Sequence, residues 1–312
     1  AHYYATLLFP AIPAYWLVNM LSSVLRGSGD MIRPAIVAAI LLATYILCAL
    51  LLIPTQGATI NEALRAAAIA MASAYLLASA LVTYFIAHKS QPVRFRIAAF
   101  RPALLTKILR QGTLAASQSV MTIVYALVTT IIFSRFGTDW LAGFGLAVRL
   151  ELIMVPVIFG IGASMIAIVG AYAGAGMREE AISIAWRGIA VNVVLIGALG
   201  ALLSIFPASW CGLVGSDPAV INSCSQALAV IAPTYAFFAL GLSCYLLSQA
   251  LNTLAFPVLG ALARLIIVAT GLYWVGSETS VDTTLYLVAI AAIVYGTVVA
   301  AVSYTHLRAH ET

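Results

Sequence analysis

Eight stretches of this sequence run for more than twenty residues without an Asp, Glu, Lys or Arg: residues 3–25, 34–61, 66–87, 111–134, 152–177, 188–216, 218–263 and 283–307. A helix rising 1.5 Å per residue needs about 20 residues to cross the roughly 30 Å hydrocarbon layer, so every run is long enough to span a membrane. The 218–263 run is too long for one crossing and carries Pro257, so it divides into one complete helix and the start of another. The pattern predicts about nine helices, near 4–25, 34–54, 63–87, 104–134, 142–173, 183–207, 220–250, 256–275 and 283–302. Spanning strands are excluded, because a barrel needs short segments that alternate apolar with polar, and these runs are unbroken Leu, Ile, Val and Ala. With 63% hydrophobic and 8% charged residues, the chain has about a third of the charge of a soluble domain. The expected fold class is an all-α polytopic membrane protein.

The charges that remain fall in the loops and alternate in sign of abundance. One set of loops holds Arg26, Arg33, Lys89, Arg94, Arg96, Arg101, Lys107, Arg110, Arg178 and Arg187; the other holds only Arg65 and Arg135. By the positive-inside rule the first set faces the cytoplasm. The basic segment HKSQPVRFRIAAFRPALLTKILR (88–110) separates three helices from six. It reads as a topology-fixing linker attracted to anionic lipid headgroups, and the net charge of +5 calls for no nucleic-acid partner. The expected divisions are residues 1–87, a linker over 88–103, residues 104–302, and a polar tail over 303–312 that is set apart as non-native.

Cys48, Cys211, Cys224 and Cys244 show no CxxC spacing, and the four histidines do not cluster. The expectation is small buried thiols, with neither a disulfide nor a metal site.

The residue that most needs explaining is Glu151. Trp140 and the FGTD turn before it mark the external interface, so Glu151 lies eleven residues inward, about 16 Å along a helix. A carboxylate at that depth is costly unless it faces a cavity or a partner. Arg149, two residues away, sits on a different helix face and cannot neutralise it. One reading has Glu151 face a cavity and bind either a coupling ion or a cationic substrate. The other makes it a structural pair with an arginine on another helix, such as Arg264. Weaker candidates are Ser117, Gln118 and Ser119, as cavity groups or as interhelical hydrogen-bonding glue. Pro156 with Gly160 and Gly162 can bend a helix or pack it closely. Tyr125, Tyr235, Phe237, Phe238, Tyr245 and Met154 can form an aromatic wall for cations or simply fill the core. Asp30 with Arg26 and Arg33 reads as a clamp or gate in the first cytoplasmic loop. VGAYAGAG (169–176) lacks the Lys-Ser/Thr of a phosphate loop.

SSVLRGSGDMIRP (22–34) and SQALNTLAFP (248–257) share a small or polar helix end, a Leu, a turn and a Pro that opens an apolar helix, a faint internal echo of a kind common in transporters. Together with FGTDWLAGFGLAVRLELIMVPVIFGIG (136–162), VGAYAGAGMREEA (169–181) and LVGSDPAVINSCSQALAVIAP (213–233), the order of motifs resembles the multidrug and toxic compound extrusion (MATE) family over residues 1–302. The resemblance implies a two-lobe, twelve-helix transporter of which this chain carries helices four to twelve, the first three being absent. It implies a monomeric antiporter of a bacterial or archaeal cytoplasmic membrane that exports organic cations or other amphipathic small molecules by alternating access in exchange for H⁺ or Na⁺, with no further cofactor and no enzymatic activity. Substrate would bind between the lobes or within the carboxyl-terminal lobe. Many members carry an Asn and an Asp in the fifth helix, but the matching LLATYILCALLLIP (41–54) has no acid, so the coupling carboxylate expected here is Glu151. A lipid-linked precursor flippase of the same superfamily is the alternative; only Arg149 and Arg264 lie within the spans to hold a pyrophosphate. A membrane-embedded enzyme would need His, Asp and Glu converging at one depth, and the spans contain one clear acid.

Overall fold

The computed structural model describes residues 2–53, 59–88, 100–251, 253–274 and 280–308. Lys89, Arg94 and Arg96 of the basic segment and the last four residues of the tail lie outside them. Every regular element among the described residues is helical, as backbone groups in hydrocarbon require. The chain forms two compact units, residues 1–100 and 101–312.

In the first unit, α1 (His2–Leu8) and α2 (Ile12–Gly27), joined by a 3₁₀ turn at Phe9–Ala11, make one crossing; α3 (Ile32–Leu52) and α4 (Ile60–Ala87) make two more. α4 packs against all three others, and its buried face is mostly alanine, which allows close approach. Thr59 and Glu62 close a capping box at its start, each side chain accepting from the other's backbone amide. Between α2 and α3, Gly29 takes φ +89°, open to glycine at little cost. Asp30 accepts from the Arg33 backbone amide at 3.1 Å and pairs with its guanidinium at 2.9 Å, while the Arg26 guanidinium donates to Ser23 Oγ at 3.0 Å. Asp30 and Arg33 thus form a local clamp on the turn.

The second unit holds α5 (Pro102–Ser134), α6 (Thr138–Gly174), α7 (Arg178–Ile205), the short α8 (Pro207–Val214), α9 (Pro218–Ile231) running through a 3₁₀ turn at Ala232–Thr234 into α10 (Tyr235–Ala250), α11 (Ala255–Trp274) and α12 (Val281–Arg308). Among the described residues of the whole chain, eight helical spans of 21 to 37 residues are long and apolar enough to cross a membrane, and α11 contributes a shorter apolar stretch, Pro257–Gly271. α10 is the hub, packed against α6, α7 and α12, and α11 bridges α5 and α12. The approaches are set by glycines: a Cβ on Gly162 would run into the Leu246 side chain, and one on Gly296 into the Phe237 carbonyl. α12 continues through Arg308, so its last turns include the first six residues of the polar tail.

Two expectations are corrected. The helix expected to reach residue 207 ends at Ile205, because Pro207 cannot donate to the ladder and pushes Phe206 out of the helical region, to φ −121°, ψ 56°. The separate α8 that follows folds back on α9 and carries Cys211 against Cys224, and the two form a disulfide with a Cα separation of 5.9 Å. The expectation of four free thiols is therefore wrong. Free thiols are left at Cys48 and Cys244. The bridge follows the end of α7 opposite Arg178. Trp210 Nε1 donates to the Leu146 carbonyl at 3.0 Å and ties the same hairpin to α6.

Candidate functional site

Among the described residues of the second unit, two open cavities are lined jointly by α5, α6, α10, α11 and α12. The outer one, toward the side opposite the basic loops, has a volume of about 490 Å³. It is lined by Thr129 and Thr130 of α5, Phe144, Val148 and Glu151 of α6, and Tyr235 at the start of α10. The inner one, toward the basic side, has a volume of about 340 Å³ and takes Gln118 and Ser119 of α5, Phe159 of α6, Tyr245 of α10 and Tyr295 of α12. Both volumes are in the range of small-molecule sites, and both walls are mostly apolar and aromatic with a few polar groups.

Glu151 reaches the outer cavity because α6 starts at Thr138 and its inward stripe, Phe144, Ala147, Leu150, Met154 and Ile158, is spaced three and four residues apart. The carboxylate sits at the margin of that stripe, with its side chain 20% exposed. It is met there by Arg264 of α11, whose NH2 lies 3.3 Å from Glu151 Oε1. The Arg264 side chain is only 9% exposed. Its guanidinium stacks 3.8 Å from the centre of the Tyr125 ring, with Phe238 at 5.5 Å and Tyr295 at 5.8 Å. Three ring faces and one carboxylate replace the hydration a cation loses on burial. Arg264 Nε is buried without a hydrogen-bond partner among the described residues. Gln118, 6% exposed, donates through Nε2 to the Tyr295 hydroxyl at 3.2 Å and leaves Oε1 unpartnered.

The fold thus brings together Glu151, Arg264 and Gln118 of the residues singled out in the sequence, and Tyr125, Tyr235, Phe238 and Tyr245 of the aromatic set. Both alternatives for Glu151 coexist in the geometry: the carboxylate faces a cavity and also pairs with Arg264. Arg149 is exposed and lines neither cavity. Ser117 donates to its own helix, at the Leu114 carbonyl 2.8 Å away. Met154 is buried in the core of the unit, and Phe237 lines neither cavity. α6 continues through Pro156 as one helix; Gly162 lets α10 approach, whereas a Cβ on Gly160 would meet open space. Asp30, Arg26 and Arg33 belong to the first unit. The sequence reading missed Tyr295, which supports Arg264 and receives Gln118, and it missed Asn192. Fully buried on α7, Asn192 donates to Ser243 Oγ of α10 at 3.0 Å. A polar side chain recurring amid an apolar helix was the signal available for Asn192.

Residues 115–275, just over half of the chain, match the sequence profile described as MatE. That range covers the last twenty residues of α5, all of α6 through α11 and both members of the Glu151–Arg264 pair. No curated protein matches the chain. Among solved structures, the chain is similar to a MATE protein crystallised in complex with MaL6, with a TM-score of 0.88, 19% identity, and coverage of 99% of this chain and 70% of that one. A MOP superfamily transporter from Pyrococcus furiosus, described as having a binding pocket of reversed polarity, superposes with a TM-score of 0.90 at 18% identity over the same shares. An outward-facing multidrug resistance MATE family transporter gives 0.90 at 17% identity, again over 99% and 70%. At these identities the likeness is one of fold. The chain spans about 70% of the length of these structures.

Proposed function

The chain belongs to the MatE family of membrane transporters, and from that premise we propose that it is an antiporter that exports small organic cations or other amphipathic compounds in exchange for H⁺ or Na⁺. The single observation that carries this reading is Glu151: a carboxylate within the membrane-length helix α6, at the wall of an aromatic cavity of about 490 Å³, held by one arginine contact of 3.3 Å. A proton or Na⁺ on Glu151 and a cationic substrate beside it compete for one negative charge. That exclusivity couples the two fluxes, because the carboxylate must release one before it accepts the other. Alternating exposure of the cavity to the two sides of the membrane then turns the ion gradient into export, with Tyr125, Tyr235 and Phe238 offering ring faces to the cation.

Arg264 and Gln118 act with Glu151 in this reading, and Pro156 and Gly160 leave α6 free to bend. Arg149 is assigned no part in it. The lobes are residues 1–87 and 104–302, the basic side faces the cytoplasm of a bacterium or archaeon, and the protein works as a monomer with lipid around it. The flippase alternative is disfavoured, because the one buried arginine of the cavity is already matched by a carboxylate and leaves no net positive cradle for a pyrophosphate.

The test is efflux of a fluorescent organic cation from proteoliposomes under an imposed pH gradient or Na⁺ gradient, comparing the native chain with Glu151→Gln. Export by the native chain under one gradient, lost in a folded Glu151→Gln, supports the coupling role and names the ion. Equal export by both removes Glu151 from the mechanism.

A further inference from the structure

The two cavities of the second unit share five wall residues: Thr122, Tyr125, Val155, Phe238 and Arg264. The remaining walls diverge in one consistent order on every helix. On α5 the outer cavity uses Ala126, Thr129 and Thr130, and the inner one Gln118 and Ser119. On α6 the division falls between Leu152 and Phe159; on α10, between Tyr235 and Leu242; on α12, between Ala292 and Tyr295. Helices that alternate in direction all agree, so the cavities stand end to end across the membrane, with the shared residues as the layer between them.

Arg264 is the charged, long-chained member of that layer. Its guanidinium is held by one 3.3 Å contact to Glu151 and by the Tyr125 ring at 3.8 Å, with Nε bonded to nothing among the described residues. We propose that the inner cavity is a second substrate chamber and that the Arg264 side chain is the partition that closes it from the outer one, held shut by the charge on Glu151. Neutralising Glu151 removes the anion that fixes the guanidinium. The side chain then swings off the dividing layer, and the two spaces join. This deepens the antiport reading and rests on it only for what neutralises Glu151.

Among the described residues, charge in the two walls is confined to this pair: no other Asp, Glu, Lys, Arg or His lines either cavity. The remaining titratable groups around the guanidinium are the phenols of Tyr125 on α5, Tyr235 and Tyr245 on α10, and Tyr295 on α12. Among the described residues, no carboxylate lines the inner chamber. Tyr245, Tyr295, Phe159, Gln118 and Ser119 therefore suit an uncharged aromatic group that carries a hydroxyl or amide, in contrast to the cation-accepting outer chamber.

Ala261 lines only the inner cavity, one turn of α11 away from Arg264, and is 7% exposed. In proteoliposomes of a Cys48→Ala/Cys244→Ala chain, Ala261→Cys is exposed from outside to an uncharged, membrane-impermeant methanethiosulfonate sugar. Gly145→Cys, which lines only the outer cavity, serves as the reference. Labelling of Ala261→Cys is expected to rise roughly tenfold or more on adding Glu151→Gln, and equally on adding Arg264→Ala, with the Gly145→Cys rate unchanged. Equal Ala261→Cys rates in all three chains overturn the partition. A rise with Arg264→Ala alone keeps the partition and overturns its control by Glu151. No transport is needed for this readout, so failure of the antiport reading is seen separately in the efflux assay. In the opened Arg264→Ala chain, phenol is expected to protect Ala261→Cys and tetramethylammonium is not; equal protection by the two overturns the assigned ligand class.

Discussion

Arg264 reaches Glu151 from 113 positions further along the chain, with NH2 3.3 Å from Oε1, while Tyr125 supports the other side of its guanidinium at 3.8 Å. The pair joins α6 to α11, two helices that are not neighbours in sequence.

Removing one member strands the other. Arg264→Met is expected to destabilise the protein by about 3–5 kcal/mol, the usual cost of leaving a largely buried charge without its partner. The double variant Glu151→Gln/Arg264→Met recovers much of that loss, because no charge is then left in the layer. Thermal unfolding in detergent of the two single variants and the double checks the coupling; strictly additive losses would show that the pair contributes nothing through its contact.

The Cys211–Cys224 bridge closes a short segment between α8 and α9. Alkylation of the unfolded, unreduced protein is expected to modify two cysteines, Cys48 and Cys244, and all four after reduction. Cys211→Ser is expected to cost about 2–3 kcal/mol by freeing the unfolded chain, read as a lower unfolding temperature that reductant no longer changes.

Gly296 and Gly160 are both helical glycines with opposite prospects. Alanine at 296 places its Cβ against the Phe237 backbone, which cannot rotate away, so a loss of about 1–3 kcal/mol is expected. Alanine at 160 meets open space and gains up to about 1 kcal/mol from helix propensity. Paired melting curves separate the two, and any flexibility that transport draws from Gly160 would appear as slower efflux in the stabler variant.

Asn192→Leu breaks the 3.0 Å bond to Ser243 between α7 and α10. Hydrogen bonds between membrane helices contribute about 0.6–2 kcal/mol, and a loss of that size is expected. Asn192→Leu/Ser243→Ala, which leaves no side-chain partner behind, is expected to be less destabilised than the two losses summed.

The spans were legible because satisfying backbone groups in hydrocarbon is a local requirement, written into every charge-free run. Glu151 was legible for the same reason in reverse, since a carboxylate at that depth needs a partner or a cavity. Its partner appeared only among the alternatives, because pairing across 113 positions depends on how α6 and α11 are brought together. Tyr295 carried no mark at all: a tyrosine in an apolar helix looks the same whether it fills a core or supports an arginine. The cysteine pair was hidden by Pro207, which ends one helix and starts a short one whose direction no periodicity encodes. Arg149, two residues from Glu151, drew attention by proximity in sequence, but successive helical positions point apart.

The same bridge also keeps a record of how the chain entered the membrane. With the basic loops in the cytoplasm, as proposed, its two thiols meet oxidant on one face of the bilayer only, the face opposite those loops. A molecule threaded the other way up would keep both reduced. Counting free thiols on protein taken from cells therefore counts the fraction of molecules inserted in each sense.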